Sequence, residues 1–170
     1  MSKANKSNKA IKYRLYPNDE QKVTFAKTFG CCRFVYNQLL ALQKQRYKDG
    51  ESHLSKLKSN EFATRTLKKD YDFLKEIDKF AVSNAVFHLA DAYDRFFKKQ
   101  NHFPKFKSKR KSKKSYTTNF TNNNILIGKN VIKLPKVGMV KAVIHRLPKD
   151  DWKLKSVTVS QDSVGNYFAS

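Results

Sequence analysis

Ile11-Lys12-Tyr13-Arg14-Leu15-Tyr16-Pro17-Asn18-Asp19-Glu20-Gln21 gives opposite instructions on the two sides of its proline. Ile11, Tyr13 and Leu15 alternate with Lys12 and Arg14, the period-two pattern of a half-buried strand. Pro17 ends that strand. Asn18 then offers a capping side chain, and Asp19 and Glu20 put two carboxylates where a helix start leaves free amides and a positive dipole end. A lone strand needs neighbours to satisfy its backbone. Residues 17–99 read as helices, so those neighbours must come from the end of the chain. The expected fold class is therefore α+β, a β-barrel-like sheet interrupted by a helical insertion.

Within the insertion, Phe25 and Phe29 fall on one face, and Gly30 is the expected C-terminal stop. A second helix is expected from Cys31 or Cys32 to about Tyr47, with Cys32, Val35, Tyr36, Leu39 and Leu42 at spacings of three and four and a turn at Lys48-Asp49-Gly50. The two would form a helix-turn-helix-like N-terminal pair, an arrangement that more often describes a packed hairpin than a groove reader. From Leu54 to about Leu67 the pattern is helical but patchy, and Tyr71, Phe73, Leu74 and Ile77 read as a short connecting element. Between Phe80 and Lys99, the residues Ala81, Ala85, Leu89, Ala92, Tyr93 and Phe96 make a long apolar stripe, with Asp91 and Asp94 off it and His88 packed beside it.

After Lys99 the composition turns basic, and Pro104 argues against a continuing helix. Ile125-Leu126-Ile127, Val131 to Leu134, Val137 to Ile144, Trp152 to Ser160 and Tyr167-Phe168-Ala169 read as a β-meander with turns between. The expected organisation is a disordered basic N-terminus (1–9), a first strand (10–16), a helical lobe (17–99), a basic linker (100–115) and the remaining strands (116–170). Met1 to Lys9 has no apolar block, so it reads as neither a signal peptide nor a membrane anchor. The expected location is cytoplasmic, with the nucleoid.

Charge narrows the function. The chain carries 36 Lys or Arg against 14 Asp or Glu, a net charge of +22. Residues 1–94 hold eighteen bases and eleven acids, whereas Arg95 to Lys149 runs fifty-five residues with sixteen bases and no acid. A localised positive field attracts polyanions and is costly to hold in a compact fold without counter-charge. Phe103-Pro104-Lys105-Phe106-Lys107 interleaves rings with cations, a pairing that suits unstacked bases and phosphates, and Lys109, Arg110, Lys111, Lys113 and Lys114 extend it. If six to ten phosphates are neutralised, affinity falls by roughly a thousand-fold or more between about 50 and 200 mM salt. Asn119-Phe120-Thr121-Asn122-Asn123-Asn124 offers amides and hydroxyls able to read base edges, or else an ordinary polar turn.

Chemistry for catalysis is missing from the pattern. His53, His88, His102 and His145 share no metal or acid–base spacing, and Cys31 and Cys32 are adjacent, which suits neither a strain-free disulfide nor a metal site. Asp19 with Glu20 and Asp150 with Asp151 sit at element ends, where capping explains them. No Gly-rich phosphate loop occurs among the five glycines. No metal or cofactor is expected, and the chain reads as a binder.

Arg14-Leu15-Tyr16-Pro17-Asn18, Gly30-Cys31-Cys32-Arg33-Phe34-Val35-Tyr36-Asn37, Asp78-Lys79-Phe80-Ala81, Phe103-Pro104-Lys105-Phe106-Lys107 and Phe120-Thr121-Asn122-Asn123-Asn124-Ile125 together resemble, in order and spacing, the N-terminal half of the TnpB/OrfB family of transposon-encoded proteins. That resemblance implies a wedge-type β-barrel interrupted by a helical recognition lobe, followed in full-length members by a RuvC nuclease and a zinc ribbon. It implies guide-like RNA from the transposon end and double-stranded DNA as partners. Lys79 matches a lysine that contacts the transposon-adjacent motif, Thr121 and Asn122 lie where the wedge approaches the same duplex, and Ser83 stands where a Gln can read a base. Arg33, Lys105, Lys107 and the lysines and arginine after them would meet RNA or heteroduplex backbone. The acids and cysteines of the nuclease parts are not among the 170 residues. The expectation is thus a truncated, non-cleaving nucleic-acid-binding module. The alternatives are half of a split RNA-guided endonuclease completed by a separately encoded RuvC fragment, or a stand-alone DNA-binding repressor.

Overall fold

The computed structural model describes residues 6–170, so the expected disorder of Met1 to Asn5 lies outside the described residues. The first strand, β1 (Tyr13–Tyr16), stops before Pro17, and α1 (Asp19–Lys48) begins behind an Asn18 capping box. Asn18 Oδ1 accepts from the Gln21 amide at 2.8 Å, and Gln21 Oε1 accepts from the Asn18 amide at 3.0 Å. Both orphan donors at this helix start are thereby satisfied.

α1 corrects the expectation of two helices with a stop at Gly30. It is one helix of 30 residues, running through Gly30 without a turn. Phe25, Phe29, Cys32, Val35, Tyr36, Leu39 and Gln43 are buried in one unbroken phase through Gly30. A mid-helix glycine costs about 1 kcal/mol relative to alanine. Burial of the two flanking turns outweighs that cost, since each fully buried large apolar side chain contributes about 1.5–3 kcal/mol.

The patchy stretch that follows is α2 (Lys56–Glu61), a π-helical segment Phe62–Leu67 and the single turn α3 (Lys68–Asp70). The change of winding explains the broken periodicity. A 3₁₀ turn at Asp72–Lys75 leads to α4 (Lys79–Phe97), whose buried residues Ala81, Val82, Ala85, Val86, Leu89 and Tyr93 pack against α1.

The remaining strands are β2 (Lys114–Asn119), β3 (Leu126–Ile127), β4 (Val131–Leu134), β5 (Gly138–Val143), β6 (Ser156–Gln161) and β7 (Tyr167–Ala169). They form one antiparallel sheet in the order β2-β6-β7-β1-β5-β4-β3. β1 lies between β5 and β7, where the lone strand finds its partners. The sixth strand starts at Ser156 and not at Trp152, because Trp152 closes a turn onto the Lys149 carbonyl at 2.9 Å.

The sheet is open, which corrects the expected closed barrel. Its end strands β2 and β3 do not pair. β3 has only two residues, and α4 packs on β2 with Asn84 donating to the Thr117 carbonyl at 2.9 Å. A helix thus occupies the place where closure would have required a strand. Phe25 sits at the junction, fully buried, with ring centroids 5.5 Å from Tyr167 and 6.2 Å from Tyr116. The helical layer and the inner sheet face therefore share one core.

Candidate nucleic-acid interface

The basic stretch after α4 is an ordered strap laid along the helices. Phe103 packs edge-on against Tyr93 and Phe96, at centroid distances of 5.5 and 5.1 Å, and Pro104 is buried. Asn37 holds the strap from α1: its Oδ1 accepts from the Lys107 amide at 2.8 Å and its Nδ2 donates to the Lys107 carbonyl at 2.8 Å. The Lys107 ammonium sits 4.1 Å over the Tyr36 ring, and burial holds its pKa below the usual lysine range. Lys44 of α1 lies 4.6 Å from the Phe106 ring.

These anchors revise the expected division of labour. Phe103 packs on its own helix while keeping 40% of its surface exposed, and Phe106 keeps 52%. Lys105, Lys109, Arg110, Lys111, Lys113 and Lys114 are all solvent-exposed. A turn closed by Ser112 donating to the Ser108 carbonyl at 3.0 Å spaces the middle of that row. Arg33 lies on α1 and lines a cleft with Lys107, Lys113 and Lys114. His88 was expected to pack beside the α4 stripe. It lies instead on the exposed side of α4, on the wall of the same cleft.

A second cluster forms where α4 begins. The Asp78 carboxylate caps the helix by accepting from the Phe80 amide at 3.2 Å, which fixes the exposed Lys79 in the first turn and Ser83 one turn later. Asn84, next to Ser83, donates to Asn119 Oδ1 at 3.1 Å and so ties this helix end to the β2–β3 turn. In that turn Asn124 Oδ1 accepts from the Thr121 amide at 2.8 Å, and Asn124 Nδ2 donates to the Asn119 carbonyl at 2.9 Å. Asn122 and Asn123 adopt φ of 48° and 56°, the left-handed region that asparagine tolerates better than most residues. Asn119 and Asn124 are thus structural, while Asn122 and Asn123 remain exposed.

Lys68 escapes a sequence reading, because eleven positions separate it from Lys79 and no pattern joins them. Burial, with Lys79 as a nearby like charge, holds its pKa below the usual range. The outer face of β1 is a further omission: the Arg14 guanidinium lies 4.9 Å from the Tyr16 ring and 5.5 Å from Phe168, and Lys12 lies 4.3 Å from Phe168. Its signal was available in the alternation of Lys12 and Arg14 with buried residues, on strands that contain no Asp or Glu.

The electrostatics set this region apart. Among the described residues six ion pairs form, and all of their cations lie between Lys22 and Lys75. None of the sixteen cations from Arg95 to Lys149 takes part. No group of three or more His, Cys, Asp or Glu able to hold a metal occurs among the described residues. The Cys32 thiol donates to the Ala81 carbonyl at 3.4 Å, and burial pushes it up to about 12, so it is a packing residue and not a nucleophile. No helix among the described residues is long and apolar enough to cross a membrane.

Comparison with known proteins agrees with this picture. A helix-turn-helix domain of the OrfB/IS605 type matches residues 5–52. A protein of Streptomyces pristinaespiralis named "Putative RNA-guided DNA endonuclease" is 30% identical over 164 residues, covering 95% of this chain and 40% of that protein. InsQ of Escherichia coli K12, which carries the same name, is 30% identical over 168 residues, covering 95% of this chain and 39% of InsQ. The chain is thus homologous to these two relatives over 95% of its own length. It spans about 40% of the length of these two relatives. Virulence protein VsdF of Salmonella dublin is 32% identical over 111 residues, which cover 93% of VsdF and 59% of this chain. Within the residues matched by that helix-turn-helix domain, the structure has β1 and the single helix α1.

Proposed function

We propose that this chain is the nucleic-acid-binding module of a TnpB/OrfB protein, holding guide-like RNA on its strap and reading transposon-adjacent duplex DNA at the start of α4. In this reading the open sheet is the wedge and the helices are the recognition lobe. Lys79, Ser83, Thr121 and Asn122 face DNA, and Arg33, Lys105, Lys107 and the cations from Lys109 to Lys114 meet RNA backbone. Cleavage chemistry is not supplied by these residues, because two-metal hydrolysis needs a carboxylate cluster that they do not assemble.

The observation that carries the reading is the acid-free stretch of fifty-five residues, with sixteen cations and no ion pair, anchored on an ordered scaffold. A disordered tail would neutralise any polyanion equally. An anchored row of cations holds fixed spacings, and fixed spacing is what favours one folded RNA over another. The test is to express the chain with its own transposon-end locus, wash at moderate salt and sequence the RNA that co-purifies. One enriched RNA mapping to the element's end is the expected result. A random mixture released by salt would reduce the function to generic polyanion binding.

A further inference from the structure

The cleft between α1, α4, the strap and the start of β2 is walled by Arg33, His88, Lys107, Lys113 and Lys114, and no carboxylate lines it. Lys107 is the unusual member. Its ammonium is half-buried over Tyr36, and it has no acid partner among the described residues. The two Asn37 hydrogen bonds hold its backbone in place against α1. A desolvated cation with only a ring face as partner is costly to keep. Four cationic side chains and an imidazole around one opening are completed by a tetrahedral oxyanion, to which each can donate.

We propose that this cleft seats one backbone phosphate of the bound nucleic acid, with His88 as its pH-dependent member. The proposal rests on the nucleic-acid reading above and adds to it a defined phosphate pocket. The groups facing His88 are Lys107 on the strap, Asp91 on its own helix, and Arg33, Lys113 and Lys114 across the cleft. Burial within the cleft and Lys107 hold the His88 imidazole below its usual range, against the opposing pull of Asp91, so the empty cleft disfavours the imidazolium. A phosphate placed between these groups favours the imidazolium. Binding therefore takes up a proton and strengthens as the pH falls.

The test is anisotropy of the full chain with a fluorescein-labelled single-stranded RNA at constant ionic strength, between about pH 8 and about pH 6. The wild type is expected to tighten several-fold over that range, His88→Gln to lose that gain, and His102→Gln and His145→Gln to keep it. Arg33→Gln and Lys107→Met are each expected to lose about tenfold in affinity and to lower the salt slope by about one. Lys58→Gln, on α2, serves as the neutral control. Melting curves separate lost binding from lost fold, and Arg33→Gln decides the matter if Lys107→Met does not fold. The pocket is overturned if His88→Gln keeps the wild-type pH response, or if folded Arg33→Gln binds as Lys58→Gln does. Absence of any RNA binding by the wild type overturns both the pocket and the nucleic-acid reading, whereas binding that ignores these variants overturns the pocket alone.

Discussion

Residues 19–94 and residues 95–149 contain the same kinds of cation, but only the first pairs any of them with carboxylates. In the first region Lys22, Lys27, Arg46, Lys56, Arg65 and Lys75 each meet a carboxylate. In the second no cation does. Exposed pairs of the first kind contribute about 0–1 kcal/mol each, so they set surface compatibility more than stability. The unpaired row costs self-repulsion and gains nothing in the isolated fold, which leaves a polyanion as what it is arranged for. The first region forms the helical layer, and the second supplies the strap together with strands β2 to β5 of the sheet packed on it.

The strongest break of that comparison is made from the scaffold side. Phe25→Ala removes a fully buried ring that joins α1 to β2 and β7, and it is expected to cost about 3–5 kcal/mol of stability in denaturant unfolding. Helical and sheet signals should melt together if the two layers share one core. Separate transitions would contradict that core.

The strap should respond in the opposite sense. Replacing Lys109, Arg110, Lys111 and Lys113 together by Gln is expected to leave the melting temperature unchanged or slightly raised. RNA affinity should fall by about 2–3 kcal/mol, roughly a hundredfold, with the salt slope reduced by about four. A lowered melting temperature with unchanged affinity would reverse the roles given to the two regions.

Between these lies Asn37→Ala, which touches both. It removes the two hydrogen bonds to the Lys107 backbone and is expected to cost about 1–2 kcal/mol. Trypsin should then cut first between Lys105 and Lys109, with the helices intact. Equal cleavage rates in wild type and variant would mean that the strap is held by Phe103 and Pro104 alone.

What the sequence made legible follows the reach of each interaction. The strand, Pro17 and the Asn18 cap are decided within a few residues, and all three form as the pattern demands. That β1 pairs with strands from the end of the chain was accessible by elimination, because no nearer strand existed; that its neighbours are β5 and β7 was not. Closure of the sheet was not accessible, since it depends on whether α4 or β3 lies beside β2. The site divides the same way. A count of charges locates the basic segment, but the Asn37–Lys107 link spans seventy positions, and nothing local marks Phe103 as the ring that packs on α4.

Gly30 gives the smallest effect and the sharpest test of the scaffold. Local rules make a glycine after Phe29 a helix stop, and a stop there would take the left-handed backbone that penalises any side chain. In the single helix Gly30 has ordinary helical backbone, and a Cβ added to it would meet only the Arg33 guanidinium, at 3.9 Å, an ordinary contact. The two geometries predict opposite signs for one substitution. Gly30→Ala is expected to raise stability by about 0.5–1 kcal/mol, because alanine lowers the unfolded-state entropy and favours the helix. A loss of similar or larger size would restore the hairpin, break the phase that carries Phe25 and Phe29 into register with Cys32 and Val35, and detach the strap's anchor at Asn37 from the part of α1 that holds the sheet.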